Sequence, residues 1–103
     1  MSVAKLDYLV SVLNGVQTKH GLDETDLRII NYVACNEMDS GVNKSTVASG
    51  IKSISVATVY NRLNKKLIPK KFLRETKSKD DARGRLLSLG AKSNDLYSYL
   101  GKL

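Results

Sequence analysis

The chain has 103 residues, 42% of them hydrophobic and 26% charged, with a formal net charge of +7, one cysteine, one histidine and one proline. That is enough for one domain with a single small core, near the lower end for independent stability, so extra burial through dimerisation is expected to help. A lone Cys35 and a lone His20 exclude an intrachain disulfide framework and any multi-thiolate zinc site, no apolar run approaches the ~20 residues of a bilayer span, and the N-terminus lacks signal-peptide organisation, so a cytoplasmic protein without a membrane partner is expected.

In chain order, Val3, Leu6, Leu9, Val10, Leu13 and Val16 follow helical spacing after Ser2, and His20-Gly21 supplies a stop. Asp23 followed by Asp26 resembles a capping box opening a second helix, with Leu27, Ile30, Val33, Ala34 and Met38 on one stripe and an end at Asp39-Ser40-Gly41. Asp23, Glu24 and Asp26 thus read as capping acids rather than a metal or acid-base cluster. Cys35, mid-helix with no local basic partner, reads as a buried inert thiol, and His20 as a helix-end residue.

A short third helix is expected from Lys44 or Ser45 to about Gly50, with Ser45 as its cap and Val47, Ala48 and Ile51 inward. Lys52-Ser53-Ile54 reads as a tight turn. Ser55 or Ser53 then caps a fourth helix with a buried stripe of Val56, Val59, Tyr60, Leu63 and Leu67, leaving Ala57, Thr58, Asn61, Arg62, Lys65 and Lys66 outward. Pro69 stops it, a strand is expected over 72–76, a turn over 77–84 and a returning strand over 85–89. Gly90 precedes a last amphipathic helix carrying Leu96, Tyr97, Leu100 and Leu103. The fold class is mainly α with an α+β element: a single winged helix-turn-helix domain over 1–103, its helix-turn-helix at about 44–67 and its two-stranded wing at about 70–90, flanked by N- and C-terminal helices. Tyr60, Tyr97 and Tyr99 fall on apolar stripes and read as core or dimer packing residues.

Charge singles out one region. Ten of the seventeen Lys and Arg residues lie within 61–85 against three acids, a surplus equal to the net charge of the whole chain. Concentrated on one helix and one hairpin, it reads as the electrostatic footprint of a polyanion, double-stranded DNA. Asn61 and Arg62 suit base edges, Asn pairing with adenine and Arg with guanine, while Ser55 and Thr58 suit phosphate or a thymine methyl and Lys65 and Lys66 phosphates. In the wing, Lys77, Lys79 and Arg83 suit an adjacent minor groove, with Asp81 orienting Arg83. No nucleophile, base and orienting group come together in the pattern, so no enzyme, cofactor or metal is expected.

From Leu22 to Tyr99 the pattern resembles the MarR family of winged-helix transcription regulators. Asp81-Ala82-Arg83 followed by Leu87-Ser88-Leu89 resembles that family's wing, and Val47-Ala48 with Ile51, then Ala57-Thr58-Val59 with Leu63, its helix-turn-helix. The chain is shorter than is usual there, Leu67 stands where Gly often follows the recognition helix, and Gly90 where Thr is common. The resemblance implies a reduced DNA-binding regulator with no small-molecule effector expected; the first and last helices, which carry more apolar surface than a lone helix-turn-helix core requires, point to a homodimer paired through them, acting as a repressor. The alternative from a different class is a winged-helix interaction module that binds an acidic protein partner through charge alone.

Overall fold

The computed structural model describes residues 3–36, 42–77 and 85–102. Helix α1 (Val3–His20) is followed by α2 (Glu24–Asn36), α3 (Lys44–Gly50) and α4 (Val56–Arg62), which continues through a wide π-type turn, Leu63–Leu67. Strands β1 (Leu73–Lys77) and β2 (Arg85–Leu89) form an antiparallel hairpin, and α5 (Ala91–Gly101) closes the order. The expected end of α2 at Asp39-Ser40-Gly41 lies outside the described residues.

Local chemistry accounts for the element ends. Gly21 leaves α1 with φ +67, the left-handed conformation that glycine adopts without steric penalty, and its N–H bonds the Gln17 carbonyl at 3.0 Å. The capping box at α2 is reciprocal: Asp26 N–H donates to Asp23 Oδ1 at 2.9 Å and Asp23 N–H to Asp26 Oδ2 at 3.1 Å. Asn43, not Ser45, caps α3, its Oδ1 accepting from Thr46 N–H at 2.7 Å, because the helix starts earlier than Ser45 capping requires. Ser55 caps α4 as expected, accepting from Thr58 N–H at 3.2 Å.

Pro69 explains how α4 ends. It has no N–H to donate, and in a continuous α-helix its ring would collide with the carbonyl four residues back. The helix widens just before it, Ile68 N–H reaching Leu63 O at 3.1 Å, and stops. Lys71 then adopts φ 68, a left-handed backbone that costs a residue with a side chain roughly 1–2 kcal/mol. The start of α5 holds this bend. Lys92 N–H donates to Lys71 O at 3.0 Å, Gly90 N–H to Phe72 O at 2.9 Å and the fully buried Ser93 hydroxyl to the same Phe72 carbonyl at 2.5 Å. Gly90 sits so close to Lys71 that a Cβ there would overlap its carbonyl oxygen, so only glycine fits.

One apolar core joins these elements. Ile29, Ile30 and Val33 of α2, Val47 of α3, Val59, Leu63 and Leu67 of α4, Phe72, Leu73 and Leu87 of the wing and Leu96 of α5 are all buried, with Val16 and Leu22 closing one end. Val42 adds an isolated bridge to β2, its carbonyl accepting from Leu87 N–H at 2.7 Å, which ties the entry of α3 to the wing. Tyr99 of α5 packs against the end of α1, its ring 5.4 Å edge-on from His20 and under the Lys19 ammonium at 5.0 Å.

Two expectations, for Val56 and for Cys35, need correction. Val56 is not in the buried stripe of α4 but 52% exposed, because the first turn of the helix projects beyond the core. In the α1 stripe Val16 is buried, but Leu6, Leu9 and Val10 are half exposed, since no described element covers the first half of that helix. Tyr97 of α5 is 42% exposed. Cys35 is exposed, its Sγ 3.8 Å from Asn31 Oδ1, because it lies on the side of α2 away from Ile29, Ile30 and Val33.

The bend gives a paired prediction. Lys71→Gly should raise the unfolding free energy by about 0.5–1 kcal/mol by removing the left-handed penalty, whereas Gly90→Ala should lower it by about 1–3 kcal/mol through overlap with backbone. Urea unfolding followed by circular dichroism measures both.

Candidate nucleic-acid interface

The outer side of α4 carries Ala57, Asn61 and Lys65, all exposed, with Ser55 at its start and Val56 exposed at the first turn, where the buried stripe runs out beyond the core. Its neighbour α3 packs behind it across the Lys52-Ser53-Ile54 turn, where Ile54 N–H reaches Ile51 O at 3.3 Å. Lys44 of α3 strengthens the pair by donating to Asn64 Oδ1 at 2.6 Å and pairing with Glu75 of β1 at 2.7 Å, so one ammonium links α3, the end of α4 and the wing.

The opposite edge of α4 meets the start of α2 in a cluster of four charges. Arg62 Nη1 lies 2.6 Å from Asp23 Oδ2 and 3.0 Å from Asp26 Oδ1, and Lys66 Nζ lies 2.5 Å from Asp26 Oδ2. Asp26 is 0% exposed, yet it accepts from both cations and from the Asp23 N–H, so its charge is satisfied. Two carboxylates and two cations cancel. Arg62 and Lys66 are spaced four residues apart, about one helical turn, and therefore reach the same patch of α2.

Electrostatics follow the geometry. Burial works against ionising Asp23, but the Asp26 backbone N–H and the Arg62 guanidinium outweigh it and hold its carboxyl below the ordinary value. The Asp23 and Asp26 carboxylates in turn hold the proton on Arg62 more tightly than usual.

Against the expected site, the structure brings Thr58, Asn61 and Lys65 to one exposed or half-exposed surface with Ser55. Ser55 and Thr58 are partly engaged with each other, the Ser55 hydroxyl donating to Thr58 Oγ1 at 2.7 Å as well as capping the helix. Asn61 and Lys65 make no side-chain hydrogen bond or ion pair among the described residues. Arg62 and Lys66 do not point outward as the helical pattern predicts; Asp23 and Asp26 draw them to α2. Of the wing residues, Lys79, Asp81 and Arg83 lie outside the described residues, as does the side chain of Lys77.

Sequence reasoning missed the acid–cation cluster, though a signal was present. Asp26 sits three and four residues before Ile29 and Ile30, on the buried face of α2, and a carboxylate there needs a cation from a facing element. Arg62 and Lys66, which precede Leu63 and Leu67 on the helix packed against α2, were the available partners.

Asp26→Asn should lower stability by about 1–3 kcal/mol at pH 7, less than loss of a partner from a fully buried pair, because Arg62 and Lys66 can still reach water. Asp23 adds an acid limb. Its folded pKa lies below the unfolded value near 3.8, so its stabilisation is present above that pH and is lost as pH falls through the folded value. Thermal melts from pH 7 to 2 should therefore show a steeper loss below about pH 4 in the parent chain than in Asp23→Asn.

No protein-family model matches this chain, and no curated protein does. Solved structures do. A point mutant of S. aureus MepR aligns with 99% of this chain and 76% of its own at TM-score 0.72 and 16% identity. A second MepR mutant, bound to an oligodeoxyribonucleotide, aligns over 99% and 80% at TM-score 0.65 and 13% identity. Streptococcus pneumoniae FabT in complex with DNA aligns over 96% and 73% at TM-score 0.61 and 19% identity. At these identities the likeness is one of fold, a mainly helical winged-helix fold shared with those structures.

Proposed function

We propose that this chain is a non-enzymatic, sequence-specific DNA-binding transcription regulator. It acts as a single winged-helix domain that places α4 in the major groove and the wing beside an adjacent minor groove. The observation that carries the reading is α4 itself. It presents an amide and an ammonium, Asn61 and Lys65, that are unpaired among the described residues, on a helix locked to the body of the protein by a buried carboxylate. The likeness to folds solved with DNA supports it. A major groove about 12 Å wide admits one α-helix and offers base edges to short polar side chains. Lys65 toward the end of the helix, with Lys77, Lys79 and Arg83 in the wing, supplies the phosphate-directed charge.

The working unit we propose is a homodimer that represses by occupying a pseudo-palindromic operator. Leu6, Tyr8, Leu9 and Val10 of α1 and Tyr97 of α5 are all between 42% and 56% exposed, more large apolar surface than a small monomer leaves uncovered at its two terminal helices. Two copies joined there would present two α4 helices to half-sites about one helical turn apart. The interaction-module reading gains no specific observation, since it gives Asn61 no role.

Two measurements test this. Lys65→Ala should weaken binding to all duplexes about equally and flatten the plot of log affinity against log salt by ~0.9 per subunit. Leu9→Glu should shift sedimentation from dimer to monomer and abolish binding to the palindrome while leaving the circular dichroism spectrum intact; a monomeric parent chain with full operator affinity would refute the dimer.

A further inference from the structure

Resting on that reading, we infer that α4 is set to read A·T base pairs: Asn61 takes adenine, and the apolar surface of Val56 and Ala57 takes the 5-methyl group of a thymine. The first support is subtraction. The Arg62 guanidinium, the group best suited to guanine O6 and N7, is turned to Asp23 and Asp26, and Lys66 is held by the same buried Asp26. Moving Arg62 into a groove would leave a fully buried carboxylate with one cation fewer. Asn64 accepts from Lys44, and the Ser55 and Thr58 hydroxyls bond each other.

What remains outward on the leading turns of α4 is chemically narrow. Val56 is 52% exposed on a helix whose other valine, Val59, is fully buried, and Ala57 beside it is exposed. The only apolar group a base pair offers in the major groove is the thymine methyl. Asn61 carries a donor group and an acceptor in fixed relation, the complement of adenine N7 and N6, and makes no side-chain hydrogen bond among the described residues. Ala57 and Asn61 line one shallow depression with Thr58 and Arg62. They are about one turn apart, ~6 Å along the axis. With base steps of ~3.4 Å, the adenine and the thymine fall about two steps apart. Lys65, a further turn along, is placed toward the backbone rather than the floor of the groove.

The test begins with selection of bound duplexes from a random pool by the full chain at ~150 mM salt, where charge-only binding is weakened. Base analogues in the enriched half-site follow. The expected half-site has A·T pairs about two steps apart at its core. Replacing the adenine by 7-deaza-adenine should weaken binding roughly fivefold or more, and in Asn61→Ala the two duplexes should bind alike. Replacing the thymine by uracil, which removes only the methyl group, should weaken binding about fourfold, and Val56→Ala should shrink that difference. An enriched half-site with G·C pairs at its core, insensitive to both analogues and losing guanine preference in Arg62→Lys, would overturn the inference while leaving a sequence-specific regulator in place. No enriched sequence would overturn both.

Discussion

The buried carboxylate of Asp26 is the constraint on which the geometry of the proposed reading helix turns, and its position is dictated by sequence spacing on α2. Placed on the same face as Ile29, Ile30 and Val33, it enters the protein interior whether or not a partner is waiting. The cost of an unpaired charge there would be several kcal/mol, so the facing helix must deliver cations. Arg62 and Lys66 do so from successive turns, and in doing so fix the rotation of α4 about its own axis. The outward side of α4 follows from that rotation. Lys44, bridging Asn64 and Glu75, secures the far end against the wing.

A second set of contacts fixes where α4 stops. Pro69 ends the hydrogen-bonded ladder, Lys71 reverses the chain in a left-handed conformation, and the start of α5 receives the reversal through Gly90, Lys92 and Ser93. The wing and the last helix are therefore built on the same few backbone groups. A disturbance in this bend reaches β1, α5 and the end of α4 together.

Much of the architecture was legible because it rests on local rules. Periodicity placed the helices, the Asp23–Asp26 pair announced the capping box, and Pro69 and Gly90 marked true boundaries. What escaped was non-local. The helical pattern of α4 sets Arg62 beside the buried stripe and Asn61 away from it, but it cannot show the carboxylate that draws Arg62 to α2, because that residue lies 36 positions earlier. Val56 fits the apolar stripe by spacing, and only the shape of the core shows that the stripe begins one turn later. Spacing alone does not place the cap of α3 at Asn43, because Asn and Ser are both good caps and helix starts are defined by hydrogen bonds that a sequence does not display. The Val42 bridge to β2 is a single residue pair and leaves no alternation to detect.

The exposure of Cys35 has a practical side. It is the chain's only thiol, it stands on the outward side of a helix that belongs to the packed core, and it is remote in sequence from α4. A maleimide probe would therefore mark each copy of the protein once, with no engineered cysteine and no background labelling. In an assembly of two copies, the pair of probes would act as a molecular ruler, reporting the separation of the two α2 helices, and hence of the bodies that carry α4, with and without a bound duplex.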